Sequence, residues 1–128
     1  MEQTQLVDNL VQELRRGVIT LAVLGQLQEE QYGYSAMKLL AEKGLEIDQG
    51  TLYPLLRRLE TQGLLESRWR IEDARPRRYY IISDRGRMVL PRLREEWTKM
   101  IRTMEPLLFD DPETALKALG GSDQNGLD

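Results

Sequence analysis

One segment of the chain combines residue types suited to binding a polyanion. On a helical wheel of residues 48–63, DQGTLYPLLRRLETQG, four leucines fall on one face: Leu52, Leu55, Leu56 and Leu59. The opposite face holds Tyr53, Arg57, Arg58 and Thr61. Arginine can pair bidentately with guanine edges in the DNA major groove and can also bind phosphates. The segment therefore predicts either a DNA-reading helix or an ordinary amphipathic surface helix with solvated charges.

The residues after this helix predict a basic β-hairpin. In LLESRWRI, residues 64–71, Leu65, Ser67, Trp69 and Ile71 alternate with charged residues, and this period of two indicates a strand with Trp69 on its inner, core-facing side. EDARPR, residues 72–77, predicts a turn-rich connector, and RYYIIS, residues 78–83, predicts a second strand. Three arginines fall at the tip and flanks: Arg75, Arg77 and Arg78. This order is typical of a winged helix-turn-helix, whose helix enters the major groove while its hairpin reaches phosphates or the minor groove.

Three predicted helical segments precede the arginine-bearing helix and the hairpin and must position them. Residues 3–15 predict an amphipathic helix with Leu6, Leu10 and Leu14 at intervals of four, which Arg16-Gly17 is expected to interrupt. VITLAVLGQL, residues 18–27, then predicts a central buried helix. A third helix is expected to start near Ser35, which is either its N-cap or one residue inside it, and to stop at Lys43-Gly44.

The boundaries of the arginine-bearing helix follow from its capping residues. Asp48 is the preferred N-cap and Gly63 the C-terminal glycine, with an irregular first turn because Pro54 forfeits one backbone hydrogen bond. The alternative cap is Thr51, which would place Pro54 within the first turn, where a missing N–H costs little.

A long helix after Ser83 carries an apolar seam. Its members follow 3-4-3-4-3 spacing: Leu90, Leu93, Trp97, Met100, Met104 and Leu107. Pro91 is expected to kink or loosen the first turns. The seam could pack on the protein's own core, but the winged unit already has a three-helix core. We therefore expect the first and last helices to pair between two chains.

Composition narrows the classes of function. The 128 residues include no cysteine and no histidine, which removes thiol chemistry, cysteine-ligated metals and the commonest general base. Adjacent carboxylates such as Glu95 and Glu96 diverge on a helix, so an enzyme is not expected, nor is a cofactor. No apolar run or leader pattern indicates a membrane segment, and a cytoplasmic location is expected.

The charge distribution agrees with nucleic-acid binding although the net charge is −3. Residues 51–102 contain 13 Lys and Arg against 7 Asp and Glu, whereas the remainder contains 5 against 14. A basic centre thus coincides with the predicted reading helix and hairpin.

Three stretches together resemble the PadR family of bacterial transcriptional regulators: YGYSAMKLL, GTLYPLLRRLETQGLLESRW and RPRRYYIISDRGR. The matching region spans about residues 14–108, and the single long terminal helix is similar to the short subfamily. The resemblance implies a winged helix-turn-helix homodimer, joined through its N- and C-terminal helices, that usually represses transcription at inverted-repeat operators.

The resemblance also implies roles for particular residues. The matching DNA-reading positions are Thr51, Tyr53, Arg57, Arg58, Arg77 and Arg78, and Tyr34 and Ser35 open the preceding helix where phosphates are held. In drug-binding members a tryptophan at the position of Trp97 stacks flat aromatic compounds at the dimer centre, although a seam tryptophan can equally be plain packing. The sequence departs from the family at Ala74-Arg75-Pro76, where glycine and proline are usual, and at Pro91.

These observations predict an α+β, mainly α, fold. Residues 1–83 would form an N-terminal helix plus the winged helix-turn-helix, residues 84–109 the dimerisation helix, and residues 110–128 an acidic, partly disordered tail with a short helix in PETALKALG. The expected partners are double-stranded DNA, a second copy and a small aromatic effector, with no membrane. The alternative is a winged-helix protein–protein adaptor that does not bind DNA.

Overall fold

The computed structural model describes residues 2–110 and contains four helices and a small antiparallel sheet in this part of the chain. In chain order the elements are α1 (Glu2–Gln26), β1 (Gln31–Tyr32), α2 (Gly33–Glu42), α3 (Gln49–Thr61), β2 (Leu65–Glu72), β3 (Arg75–Ile82) and α4 (Asp84–Phe109). Three helices followed by a hairpin form the predicted winged helix-turn-helix. The predicted helix in PETALKALG and the acidic tail lie outside the described residues, apart from Asp110.

The first helix differs from its prediction because it is not interrupted at Arg16-Gly17. A single helix of 25 residues runs through both positions. A glycine in a helix interior costs only about 0.5–1 kcal/mol, which the apolar contacts of the second half outweigh. That half buries Ile19, Val23 and Leu24, whereas the N-terminal half remains exposed.

Capping residues set the ends of α2 and α3. Asp48 caps α3 as predicted, since its Oδ1 accepts a hydrogen bond from the Thr51 amide at 2.8 Å. Gly44 and Gly63 have φ of +100° and +82°, the left-handed conformation with which helices commonly end. Of the two alternatives for Ser35, the N-cap is wrong, because that position is Tyr32; Ser35 lies inside the helix, as its third residue.

The sheet has the order β1-β3-β2. The short strand β1 was not predicted; it pairs with Tyr79 and Tyr80 at the inner end of β3. The hairpin turn is shorter than predicted, since only Asp73 and Ala74 lie between the strands, both with positive φ. Their φ values of 52° and 62° match the tight hairpin turns that follow the natural twist of paired strands. Arg75 and Pro76 therefore belong to β3.

The core joins α1, α2, α3, the sheet and the start of α4. Its fully buried members include Leu24, Leu27, Leu52, Leu56 and Leu59. Two sequence predictions fail here. Trp69 is 63% exposed, since Leu65 is the only residue of β2 that is buried. Leu90 is 3% exposed, because it belongs to the protein's own core.

The last helix begins as predicted and continues through both of its prolines. Ser83 Oγ accepts from the Gly86 amide at 3.0 Å and donates to the Gly63 carbonyl at 2.6 Å. The described part of the chain divides into two units, with the boundary just after Pro91 within this helix. None of the helices within residues 2–110 is long and apolar enough to cross a membrane.

Candidate nucleic-acid interface

Helix α3 separates its apolar and polar side chains as the wheel predicts. Leu52, Leu55, Leu56 and Leu59 are all buried. Thr51, Arg57, Arg58 and Thr61 are exposed, whereas Tyr53 is half-buried. The leucine face holds the helix on the core, so the arginines stay on the outside without any cost of burying charge.

The two arginines of α3 do not have the same surroundings. Arg58 Nη2 lies 3.5 Å from Thr20 Oγ1 on α1, so this side chain leans along the protein surface. The guanidinium of Arg57 contacts no side chain by hydrogen bond or ion pair within residues 2–110. Arg57 is therefore the freer of the two for a ligand.

The hairpin distributes its arginines over two faces. Residues paired across antiparallel strands share a face; Arg78 is paired with Trp69, and Arg77 with Arg70. The predicted basic tip is thus divided, because Arg77 and Arg78 are consecutive in a strand and point to opposite sides.

Most hairpin arginines already have partners within the chain. Arg68 Nε donates to Glu30 Oε2 at 2.7 Å, and Arg70 pairs with Glu30 Oε1. The Cζ atom of Arg77 lies 4.6 Å from the centroid of the Tyr32 ring. The Nη1 atom of the same side chain lies 3.9 Å from Glu72 Oε1. Arg75, next to the turn, has no ion pair or ring contact in the described part of the chain.

Glu30 anchors the hairpin to the segment after α1. The hydrogen bond from Arg68, together with the charges of Arg68 and Arg70, lowers the pKa of Glu30 against the opposing effect of its desolvation. On the same sheet face the Tyr79 hydroxyl donates to Glu72, and this hydrogen bond, with burial, raises the pKa of Tyr79. These contacts fix this face of the hairpin from the segment before β1 to the turn.

An aromatic cleft of about 210 Å³ lies where α2 begins, beside α3 and the hairpin. It brings together four of the predicted residues: Tyr34, Tyr53, Arg77 and Arg78. Tyr32, Trp69 and Tyr80 also line it. The side chain of Tyr32 does not cap α2, and Tyr34 is 48% exposed at the first turn. Tyrosines and arginines around an uncapped helix start can contact the sugars and phosphates of a nucleic acid.

Reasoning from the sequence missed three side chains of the candidate interface: Glu30, Glu60 and Trp69. The two carboxylates hold hairpin arginines, and Trp69 is an exposed ring next to Arg78, whose Cζ lies 5.8 Å from the ring centroid. The excess of arginine over acidic residues in β2 and β3 could have indicated partners elsewhere, but no local spacing identifies Glu30 as one of them.

Comparison with known proteins agrees with this geometry. The family model described as the transcriptional regulator PadR-like family matches residues 20–92, more than half of the chain. The chain belongs to the PadR-like family of transcriptional regulators. The match covers α2, α3 and the whole hairpin, the elements that carry the exposed arginines.

Individual relatives are transcriptional regulators as well. The crystal structure of a PadR family regulator from Eggerthella lenta is 42% identical with a TM-score of 0.78, covering 87% of this chain and 99% of that one. A PadR-like regulator from Bacillus cereus is 28% identical with a TM-score of 0.68, covering 77% and 99%. A transcriptional regulator of Mycobacterium tuberculosis is 34% identical over 93 residues, which are 72% of this chain and 87% of that protein.

The family and these structures are PadR-like regulators of transcription rather than enzymes. Regulation of this kind implies binding to DNA, and the exposed face of α3 with the adjacent hairpin provides a surface of suitable charge.

Proposed function

We propose that this PadR-like regulator is a homodimeric repressor that binds an inverted-repeat operator, with α3 in the major groove and the hairpin at the flanking backbone or minor groove. The observation that carries the proposal is the exposure of Arg57 on a helix whose leucine face is completely committed to the core. A helix fixed in this way presents its guanidinium at a constant position, as base readout requires.

The guanidinium groups without ion pairs support separate roles in base reading and phosphate contact. Arg57 on α3 and Arg75 by the turn have no ion-pair partner among residues 2–110. We assign base reading to Arg57 with Thr51 and Tyr53, and phosphate contact to Arg75. Arg58 contacts Thr20, and Arg77 lies over the Tyr32 ring. We assign contacts with the DNA backbone to these two arginines.

The start of α2 would hold a further phosphate. The N-terminal N–H groups of a helix attract anions, and Tyr32 leaves those of α2 without a side-chain cap. Tyr34 is exposed there, whereas Ser35 is half-buried with its hydroxyl directed to Gln31 Oε1 at 3.4 Å. Tyr34 is accordingly the better placed of the two for a hydroxyl contact.

Two exposed apolar stripes support dimerisation. On α1, Leu6, Leu10 and Leu14 are 57%, 54% and 75% exposed, with Val7 and Val11 beside them. On α4 the stripe consists of the half-buried Leu93 followed by the exposed Trp97, Met100, Met104 and Leu107. Contiguous apolar stripes of this kind mark interaction sites in otherwise soluble proteins, and a second copy offers the same stripes in return. Leu90 is not part of the proposed interface, because its side chain is buried.

Molecular mass in solution tests the dimer. Leu10→Asp places a charge in the α1 stripe and should yield a monomer in light scattering. Met88→Asp is the matched control: Met88 is 76% exposed on α4 outside the seam, so its variant should stay dimeric. A wild-type monomer, or a dimeric Leu10→Asp protein, would reject this interface.

Binding to a promoter fragment of the protein's own gene tests DNA readout. Arg57→Ala should cost about 1–3 kcal/mol for the specific site if Arg57 reads a base. Arg75→Ala should instead weaken binding to all sequences and reduce the log–log salt slope by about 0.9 for each phosphate lost. Arg102→Ala on α4 removes the same group outside the winged unit and should leave both quantities unchanged. Binding with no salt dependence would favour the adaptor instead.

An effector site at Trp97 is the remaining part of the proposal, supported by the resemblance and by the 40% exposure of this ring. In Trp69→Phe, Trp97 is the only tryptophan, since the chain has two. Planar aromatic compounds should quench its emission and release bound DNA at the same concentrations. A panel that quenches nothing would count against the site.

A further inference from the structure

Three side chains from three different elements form a closed hydrogen-bonded group between α3 and the hairpin. Arg78 Nη2 on β3 donates to Glu60 Oε1 on α3 at 2.9 Å. Ser67 Oγ on β2 donates to Glu60 Oε2 at 2.6 Å and accepts from Arg78 Nε at 3.0 Å. We call this group, Glu60, Ser67 and Arg78, the clasp.

The hydrogen bonds of the clasp engage enough of its donors and acceptors to fix the positions of the three side chains. Both carboxylate oxygens of Glu60 are engaged, and the Ser67 hydroxyl is donor and acceptor at once. The side chains of Arg78 and Glu60 are only 36% and 29% exposed. Partly buried, charge-assisted hydrogen bonds of this kind are stronger than an ordinary surface ion pair.

Aromatic rings restrict the Arg78 guanidinium further. Its Cζ lies 5.5 Å from the centroid of Tyr80 and 5.8 Å from that of Trp69. Cations at these distances from aromatic rings are attracted to them. The group is therefore held by a carboxylate, a hydroxyl and two rings before any ligand arrives.

We infer that Arg78 is a positioning residue: with Glu60 and Ser67 it sets the angle of the hairpin relative to α3. This inference rests on the proposed function, since the angle decides whether α3 and Arg75 can contact one DNA duplex together. It replaces the DNA-reading role that the PadR resemblance assigns to Arg78. Glu60 compensates the charge of Arg78, which leaves less attraction for a phosphate.

The two roles of Arg78 predict opposite effects of removing Glu60. If Arg78 contacted DNA directly, Glu60→Ala would free its guanidinium and remove a nearby negative charge, so DNA would bind more tightly. If the clasp positions the hairpin, Glu60→Ala releases the angle and DNA binds more weakly. The sign of the change therefore distinguishes the two roles.

A double-mutant cycle on the full chain provides the main test. Glu60→Ala and Arg78→Ala should each lower affinity for the operator about tenfold, and the double variant should lose little more, because both act through one group. Their log–log salt slopes should match that of the wild type. Tighter binding by Glu60→Ala, a shallower slope for Arg78→Ala, or additive losses would overturn the inference.

Ser67 offers a test without any change of charge. Ser67→Ala should weaken specific binding while affecting binding to unrelated DNA less, because only the operator requires α3 and the hairpin in register. Ser67→Thr keeps the hydroxyl and should restore most of the affinity. Equal affinities for wild type and Ser67→Ala would contradict the clasp.

A measurement without DNA separates failure of the clasp from failure of the proposed function. Amide hydrogen exchange of residues 65–82 should be faster in all three alanine variants than in the wild type, with α2 as the internal reference. Unchanged exchange in the hairpin would overturn the clasp whether or not the protein binds DNA. Faster exchange in a protein that binds no DNA would retain the clasp and reject the operator.

Discussion

The ring of Tyr53 on α3 packs directly against the backbone of Gly33, the first residue of α2. A Cβ built on Gly33 would overlap the ring edge and lie 3.1 Å from Tyr53 Cδ1. The contact holds Tyr53 half-buried at the aromatic cleft, between the start of α2 and the hairpin. The absence of a side chain at residue 33 thus sets the position of a candidate DNA-reading residue.

Gly33→Ala should displace the Tyr53 ring and weaken operator binding about tenfold, as a misplaced contact at a preorganised site does. The loss of unfolding free energy should be about 1 kcal/mol, because the ring is the movable end of a side chain. Electrophoretic mobility shift and urea denaturation measure the two quantities. Gly17→Ala is the control: nothing lies within 4 Å of its added Cβ, and a helical alanine should stabilise the protein by about 0.5–1 kcal/mol. Unchanged operator affinity in Gly33→Ala would remove Tyr53 from the interface.

Gly86→Ala should destabilise the winged unit more than Gly33→Ala does. Its Cβ would overlap the carbonyl oxygen of Leu64 and come within 2.5 Å of Ile82 Cγ1, and neither the backbone nor the buried isoleucine can move away freely. Overpacking of this kind costs about 1–3 kcal/mol. Urea denaturation followed by circular dichroism measures this loss of unfolding free energy. A variant as stable as the wild type would contradict the close packing of Gly86 against Leu64 and Ile82.

Trp69 should report the approach of DNA to the hairpin. In Trp97→Phe it is the only tryptophan, and its ring is 63% exposed on the sheet face that also carries Arg78. Because bound DNA would cover this face, adding operator should change the intensity and the acrylamide quenching of its emission. Unrelated DNA at high salt, where non-specific binding is lost, serves as the control. Emission that does not respond to saturating operator would place the hairpin away from the duplex.

Glu30 should make stability depend on pH in the acid range. Its pKa is lowered in the folded protein, so its contribution is present above the unfolded value and disappears as the pH falls through the folded value. The difference in unfolding free energy between wild type and Glu30→Gln should therefore be largest near neutral pH and shrink as the pH falls below 4.5, the ordinary value for glutamate, and through the lower pKa of folded Glu30. Urea denaturation across this range measures the difference. A difference that grows in acid would contradict the ion pairs with Arg68 and Arg70.

Local chemistry made most elements predictable. The period of the leucines determines which face of α3 is buried, and the cap at Asp48 and the glycine at Gly63 determine its ends. The alternation in residues 64–71 predicts β2, and Ser83 predicts the start of α4. These features depend on residues close together in the chain, which is why a helical wheel or a period of two detects them.

The predictions that were wrong concern residues whose environment is set by parts of the chain far away in sequence. Gly17 looks like a break, Trp69 looks like core and Leu90 looks like interface as long as only neighbouring residues are considered. Each outcome depends on distant partners: the apolar contacts of the second half of α1, the packing that buries β2 only at Leu65, and the core that buries the start of α4.

The sequence by itself determined the order of elements, the buried face of α3 and the concentration of arginine in the centre of the chain, since these follow from composition and spacing. Only the tertiary structure decided which arginines are free. Arg68, Arg70 and Arg78 have carboxylate partners 38, 40 and 18 residues away, whereas Arg57 and Arg75 have none within residues 2–110. A guanidinium is available to a ligand only where folding has brought no closer anion to it, and that condition is set by contacts between residues far apart in the chain.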